Sequence, residues 1–115
     1  MANTFKVITK AGVTSADIIY TVASSTTTVI IGCIIGNTTG SAITTTVTLT
    51  SDTANRSGAN NEANQTVELL TATAIPANDS LAVLSGSKVV MEATDTLSVT
   101  GSAAVDICLS VMEIT

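Results

Sequence analysis

The chain has 115 residues, 45% of them apolar, 2% aromatic and 11% charged, and nine acids against four bases give a formal net charge of -5. That length predicts a single domain, able to bury roughly two thirds of its unfolded surface without metal or disulfide support. The cations Lys6, Lys10, Arg56 and Lys88 are scattered, which excludes the basic patch of a nucleic-acid binder and argues against an anionic membrane as partner. There is no histidine, so Ser–His–Asp and Cys–His catalysis are excluded, and with them the commonest metal ligand. With aromatics confined to Phe5 and Tyr20, the core must be built from aliphatic side chains and threonine methyls. Such a thin core favours a subunit that buries more surface against its neighbours.

In chain order, residues 4–8 form the first expected strand and residues 11–16 a connection of small residues. Residues 17–23 (DIIYTVA) form the next strand, with Ile18, Tyr20 and Val22 on one face and the Tyr20 hydroxyl reaching for a partner. Residues 28–36 (TVIIGCIIG) are apolar on both faces, which predicts a central strand or one covered by a neighbouring subunit, with a bulge at Gly32. The turn NTTGS follows, where Gly40 is available for a positive φ. Ile43, Thr45, Val47 and Leu49 then alternate with Thr44, Thr46, Thr48 and Thr50, one face for the core and one of threonine.

Residues 52–64 are a polar loop, and residues 65–75 a strand with Val67, Leu69, Thr71 and Thr73 on one side. After the turn PANDS come a short strand at 81–84 and a rim strand at 88–91. Two longer alternating strands close the chain. Leu97, Val99 and Gly101 share the core face of the first, and Val105, Ile107, Leu109 and Val111 that of the second. The fold class is all-β: a single-domain β-sandwich over residues 1–115, jelly-roll-like, of about eight strands.

Candidate chemistry is sparse. The carboxylate pairs Glu62 with Glu68 and Glu92 with Asp95 are more simply solvated than catalytic. Asp52, Asp79 and Asp95 lie beside turns without the dense spacing of a calcium loop, so they read as turn caps. Cys33 and Cys108 lie in apolar strand patterns and read as buried free thiols, a disulfide between them remaining open. The sequons at Asn37, Asn55, Asn64 and Asn78 arise readily by chance in an Asn- and Thr-rich chain, and no secretory leader is expected at the amino end. The glycines show no phosphate-cradling pattern. No catalytic residue, metal ligand or cofactor is expected.

The segments IYTVASSTTTVIIGCIIGNTTGSAITTTVTLTSD and LLTATAIPANDSLAVLSGSKVVMEATDTLSVTGSAAVDICLSVMEI span Ile19 to Ile114 with one interruption. They resemble small virion structural proteins of tailed bacteriophages. The resemblance implies a non-enzymatic accessory component of the capsid, neck or tail, located in the virion, such as a capsid decoration or cement subunit. Its partners would be other virion proteins, and by analogy it would be a homo-oligomer, a trimer first. Ile75-Pro76 with Ser80-Leu81, Gly86 with Lys88, and Glu92 with Asp95 fall at structural turns of that pattern, while the polar insert at 52–64 departs from it. The expected protein contacts are the threonine face, Thr44, Thr46, Thr48 and Thr50, and the loop residues Asn55, Arg56, Asn60 and Asn61. The rival readings are a carbohydrate-binding or host-adhesion module and a bacterial surface subunit. The first suffers from having only Phe5 and Tyr20, both expected to be packed in strands, as stacking platforms.

Overall fold

The computed structural model describes residues 2–52, 64–84 and 87–115. Its strands are β1 (Asn3–Val13), β2 (Asp17–Thr21), β3 (Thr27–Asn37), β4 (Ile43–Ser51), β5 (Gln65–Ile75), β6 (Ser80–Val83), β7 (Val89–Met91), β8 (Thr96–Gly101) and β9 (Val105–Ile114). Sheet A has the order β1-β9-β3-β6, with β7 also on β3, and sheet B the order β2-β8-β4-β5. All pairs are antiparallel. The two four-column sheets, with neighbours far apart in sequence, have the jelly-roll arrangement of a β-sandwich. Strands β6 and β7 share one column, pairing with residues 33–36 and 28–30 of β3, so the nine strands of the described residues fill eight places.

The period-two reading of β8 and β9 holds. Leu97 and Val99 are buried with Val105, Ile107, Leu109 and Val111, and they meet Ile30, Cys33 and Ile35 from β3 and Val47 from β4. Each fully buried aliphatic side chain is worth about 1.5–3 kcal/mol. Strands β8 and β9 do not pair with each other; the connection between them carries the chain from sheet B to sheet A. That crossing is tight. A Cβ on Gly101 would lie 2.5 Å from the Ala103 carbonyl oxygen and 3.1 Å from that of Val13. Ser102 fastens the corner to β4, its N–H donating to the Thr44 carbonyl at 2.9 Å and its hydroxyl accepting from the Thr44 N–H at 2.9 Å.

Several expectations change. Strand β1 runs on to Val13, through the expected connection, because β9 offers a partner as far as Val105. The register shifts between Lys10 and Val13, where Gly12 takes φ 70° and donates its N–H to Asp106 Oδ1 at 3.1 Å. In β2 the register shifts between Ile18 and Tyr20. Ile19 and Tyr20 are therefore both buried while Ile18 is exposed, so Ile18 does not share a face with Tyr20. The bulge expected at Gly32 is present, with Ile31 as the extra residue between Ile30 and Gly32. Gly40 does not take a positive φ; Asn78, in the turn after β5, does.

Strand β5 also departs from simple alternation, with two register shifts against β4. Ala72 sits in the first with φ 44°, and its N–H donates to Thr46 Oγ1 at 3.0 Å.

Replacing Gly101 with alanine should cost about 1–3 kcal/mol by overpacking a corner made of backbone. The denaturation midpoint against urea measures it, and an unchanged midpoint would remove the close approach at Gly101 as a constraint on the fold.

Candidate functional site

The expected contact residues fall into two groups. Thr44, Thr46, Thr48 and Thr50 stand on the outer face of sheet B, paired with Ser98, Thr96 and Thr100 of β8 and with Glu68 and Thr66 of β5. Thr44 is exposed and the other three are half-buried. Two hydroxyls of this face are engaged within the chain, Thr46 by Ala72 and Thr50 by Thr66 at 3.3 Å. Asn55, Arg56, Asn60 and Asn61, with most of the polar loop at 52–64 and Glu62, lie outside the described residues.

A second surface is signalled in the sequence by residues 28–36, apolar on both faces and expected to form a central strand or one covered by a neighbouring subunit. The outer face of sheet A carries Phe5 and Val7 from β1, Val29, Ile31 and Ile34 from β3, Val90 from β7, and Cys108 and Met112 from β9. Phe5 is 71% exposed, Val7 64% and Val90 60%. Phe5 is thus not packed in the core as expected, because β1 is an edge strand, paired along its ladder with β9, and its outer face meets solvent. Among the described residues of these five strands, Asp106 at one end is the single charged residue on that face. Two shallow depressions lie there, of about 420 Å³ and 270 Å³, and both are lined by Ile34 and Cys108. The available signals were the apolar outer positions of β3 and the pair Phe5 and Val7 two residues apart.

The polar groups of the interior act as fasteners. The Tyr20 hydroxyl donates to Glu113 Oε2 and lies 2.7 Å from the Thr28 hydroxyl, while Lys6 Nζ lies 2.8 Å from Glu113 Oε1. This group ties β1, β3 and β9 of one sheet to β2 of the other. Burial above all, with Glu113 beside it, pushes the Tyr20 phenol up to about 12, and Lys6 followed by Tyr20 holds the Glu113 carboxyl below its ordinary value.

Two of the acidic candidates, Asp79 and Asp95, are turn caps. Buried Asp95 accepts the N–H of Asp52 at 2.8 Å and of Glu92 at 3.0 Å, and Asp79 accepts that of Ser80 at 2.8 Å. Glu92 and Asp95 are joined through backbone, the Asp95 N–H also donating to the Glu92 carbonyl at 3.1 Å. No group of three or more potential metal ligands occurs among the described residues. Asn37, the first of the sequons, is buried. Its amide donates to the carbonyls of Ser41, Ile75 and Pro76 and accepts from Thr39, joining two turns at one end of the sandwich.

The two thiols are both free. Cys33 pairs with Leu109 and Ile34 with Cys108, so alternation puts Cys33 in the core and Cys108 on the outer face. The expectation that both are buried therefore fails for Cys108, which is half-buried, and within one chain the two side chains point away from each other. Burial pushes the Cys33 thiol up to about 11.

No family model matches the chain, and no curated protein matches it. A solved structure of a Bacillus endospore appendage, described as belonging to a family of disulfide-linked pili, aligns over 96% of this chain and 85% of its own. The two are 18% identical, with a TM-score of 0.44.

Two outcomes are expected. Glu113, depressed in the fold, contributes fully above its ordinary value of 4.5 and loses that contribution as pH falls through its folded value. Tyr20, raised from 10.0 to about 12, contributes fully below 10.0 and loses it as pH rises between the two. Urea midpoints across pH should therefore decline at both ends, Glu113→Gln removing part of the acid decline and Tyr20→Phe part of the alkaline one. Tyr20→Phe should also cost about 1–2 kcal/mol near neutrality. Separately, a thiol reagent applied to dilute native protein should modify Cys108 well before Cys33, and equal rates would contradict the facing of the two residues.

Proposed function

We propose that the chain is a non-enzymatic structural subunit, whose work is to be held against other proteins. The observation that carries this is the largely apolar outer face of sheet A, with Asp106 as its single charge and Phe5, Val7, Ile31, Ile34 and Val90 all substantially exposed on it. Exposed apolar patches larger than a few hundred Å² mark contact surfaces in soluble proteins. The interior, by contrast, spends its polar groups on turns and on cross-linking the sheets.

The finer reading is an accessory subunit of a tailed-phage virion, a capsid decoration or a neck or tail component packing against neighbouring virion proteins. It is supported by the sequence resemblance from Ile19 to Ile114 and by a surface whose polarity comes from threonine and serine rather than charge. The threonine face of sheet B, and the loop with Asn55, Arg56, Asn60 and Asn61, serve as secondary contacts. Mass spectrometry of density-gradient-purified particles should find the chain in stoichiometric amounts, and its confinement to the unassembled fraction would overturn the virion reading.

A host-adhesion or carbohydrate-binding module is favoured by one observation, the exposure of Phe5, since sugar faces stack on open aromatic rings. A glycan array should then give a hit that Phe5→Ala abolishes.

A further inference from the structure

We propose that the outer face of sheet A is a self-docking surface, on which two copies of this chain pack face to face about a two-fold axis. The inference rests on the reading of the chain as a structural subunit and deepens it by naming the partner.

Size is the first argument. The face is four strand columns wide, and β1, β9 and β3 are 11, 10 and 11 residues long. At about 4.8 Å between strands and about 3.3 Å per residue, it covers roughly 650 Å². Two such faces together remove roughly 1,300 Å², within the range of specific stable interfaces.

Charge is the second argument. The chain as a whole carries -5, so most surfaces of one copy repel those of another. The outer face of sheet A offers little of that repulsion, its strands placing only Asp106 there, at one end, with Lys10 at the margin of the larger depression. Uncharged apolar surface meets its like without penalty, and a two-fold interface must be complementary to itself. An acidic or basic partner finds little on this face to recognise.

Shape is the third. Gly32 and Gly36 lie beneath the two depressions on either side of Ile34. A Cβ at Gly32 would meet nothing within 4 Å, and one at Gly36 only the Asp106 carbonyl oxygen at 3.9 Å. Neither has a positive φ. Neither backbone conformation nor crowding demands glycine there, yet its absence of side chain makes the hollows. The same face raises Phe5, Val7 and Ile31 as projections, so a second copy supplies both projections and hollows, as face-to-face sheet packing requires.

Sedimentation equilibrium from about 1 µM to about 1 mM protein tests this over the affinity range of ordinary dimers. The wild type should reach twice the 11.5 kDa chain mass. Ile34→Glu and Val7→Glu should remain at the chain mass with unchanged circular dichroism, while Ile18→Glu, on exposed β2 of the other sheet, should still dimerise. Val7 lies on the edge strand, so its variant keeps the test valid if Ile34→Glu fails to fold. As a second readout, Cys108 alkylation should slow about tenfold or more as the wild type dimerises, but not in Val7→Glu.

A wild type that stays monomeric over this range, or a dimer that survives Val7→Glu, overturns the proposal. So does a monomer whose Cys108 is protected only after capsid or tail protein is added, which assigns the face to that partner. A monomer that is nonetheless present in purified particles ends the two-fold docking and leaves the structural-subunit reading standing. A face-dependent dimer absent from particles supports the docking and removes the virion.

Discussion

Two sheets lined with valine, isoleucine and leucine hold together only while those side chains interdigitate, and that contact governs the rest of this chain. With Tyr20 as the one buried aromatic residue, no large ring bridges the layers. The sheets must instead come close, and they do so where β8 hands over to β9 through Gly101, which has no space for a methyl group. The inward side chains of β9 fill the space between, and β9 lies at the centre of sheet A with β1 and β3 on its flanks. Close packing of small aliphatics substitutes for aromatic bulk.

The polar groups inside the sandwich follow from the same geometry. Burying hydroxyls and carboxylates between apolar sheets is costly unless each finds a partner. Tyr20, Thr28, Glu113 and Lys6 satisfy one another across the layers, and Asn37 and Asp95 each collect several backbone groups at turns. These residues hold loops to the sandwich. Of the aspartates beside turns, which resemble loose calcium ligands in sequence, Asp79 and Asp95 accept backbone N–H groups.

What was legible in the sequence was whatever depends on neighbours in sequence. Alternation in β4, β8 and β9 named the core faces correctly, because a strand places every second side chain on one side whatever it pairs with. What depends on distant partners was not legible. The length of β1 is set by how far β9 extends, and the burial of both Ile19 and Tyr20 by a bulge that exists only against Leu97 and Ser98. The candidate surfaces divide in the same way. The threonine face was readable within β4 alone. The apolar face is assembled from residues that are 5 to 112 positions into the chain, and only β3 and the pair Phe5 and Val7 of β1 hinted at it.

The contrast between the two outer faces is the strongest physical statement the molecule makes about its role. Threonine covers the exposed side of β4 and β8, and its branched side chain satisfies a strand while its hydroxyl remains in water. The same solution was open to the outer side of sheet A, where β-branched residues are equally suited to the backbone. Instead Ile31, Ile34, Val7 and Val90 stand there with Phe5, and each adds exposed apolar area, unfavourable by about 25 cal/mol per Å² relative to burial. Their neighbours on the inner face make the core. The outer face of sheet A therefore carries apolar area that the inner core does not use, and that asymmetry between the two faces is what the proposed docking draws on.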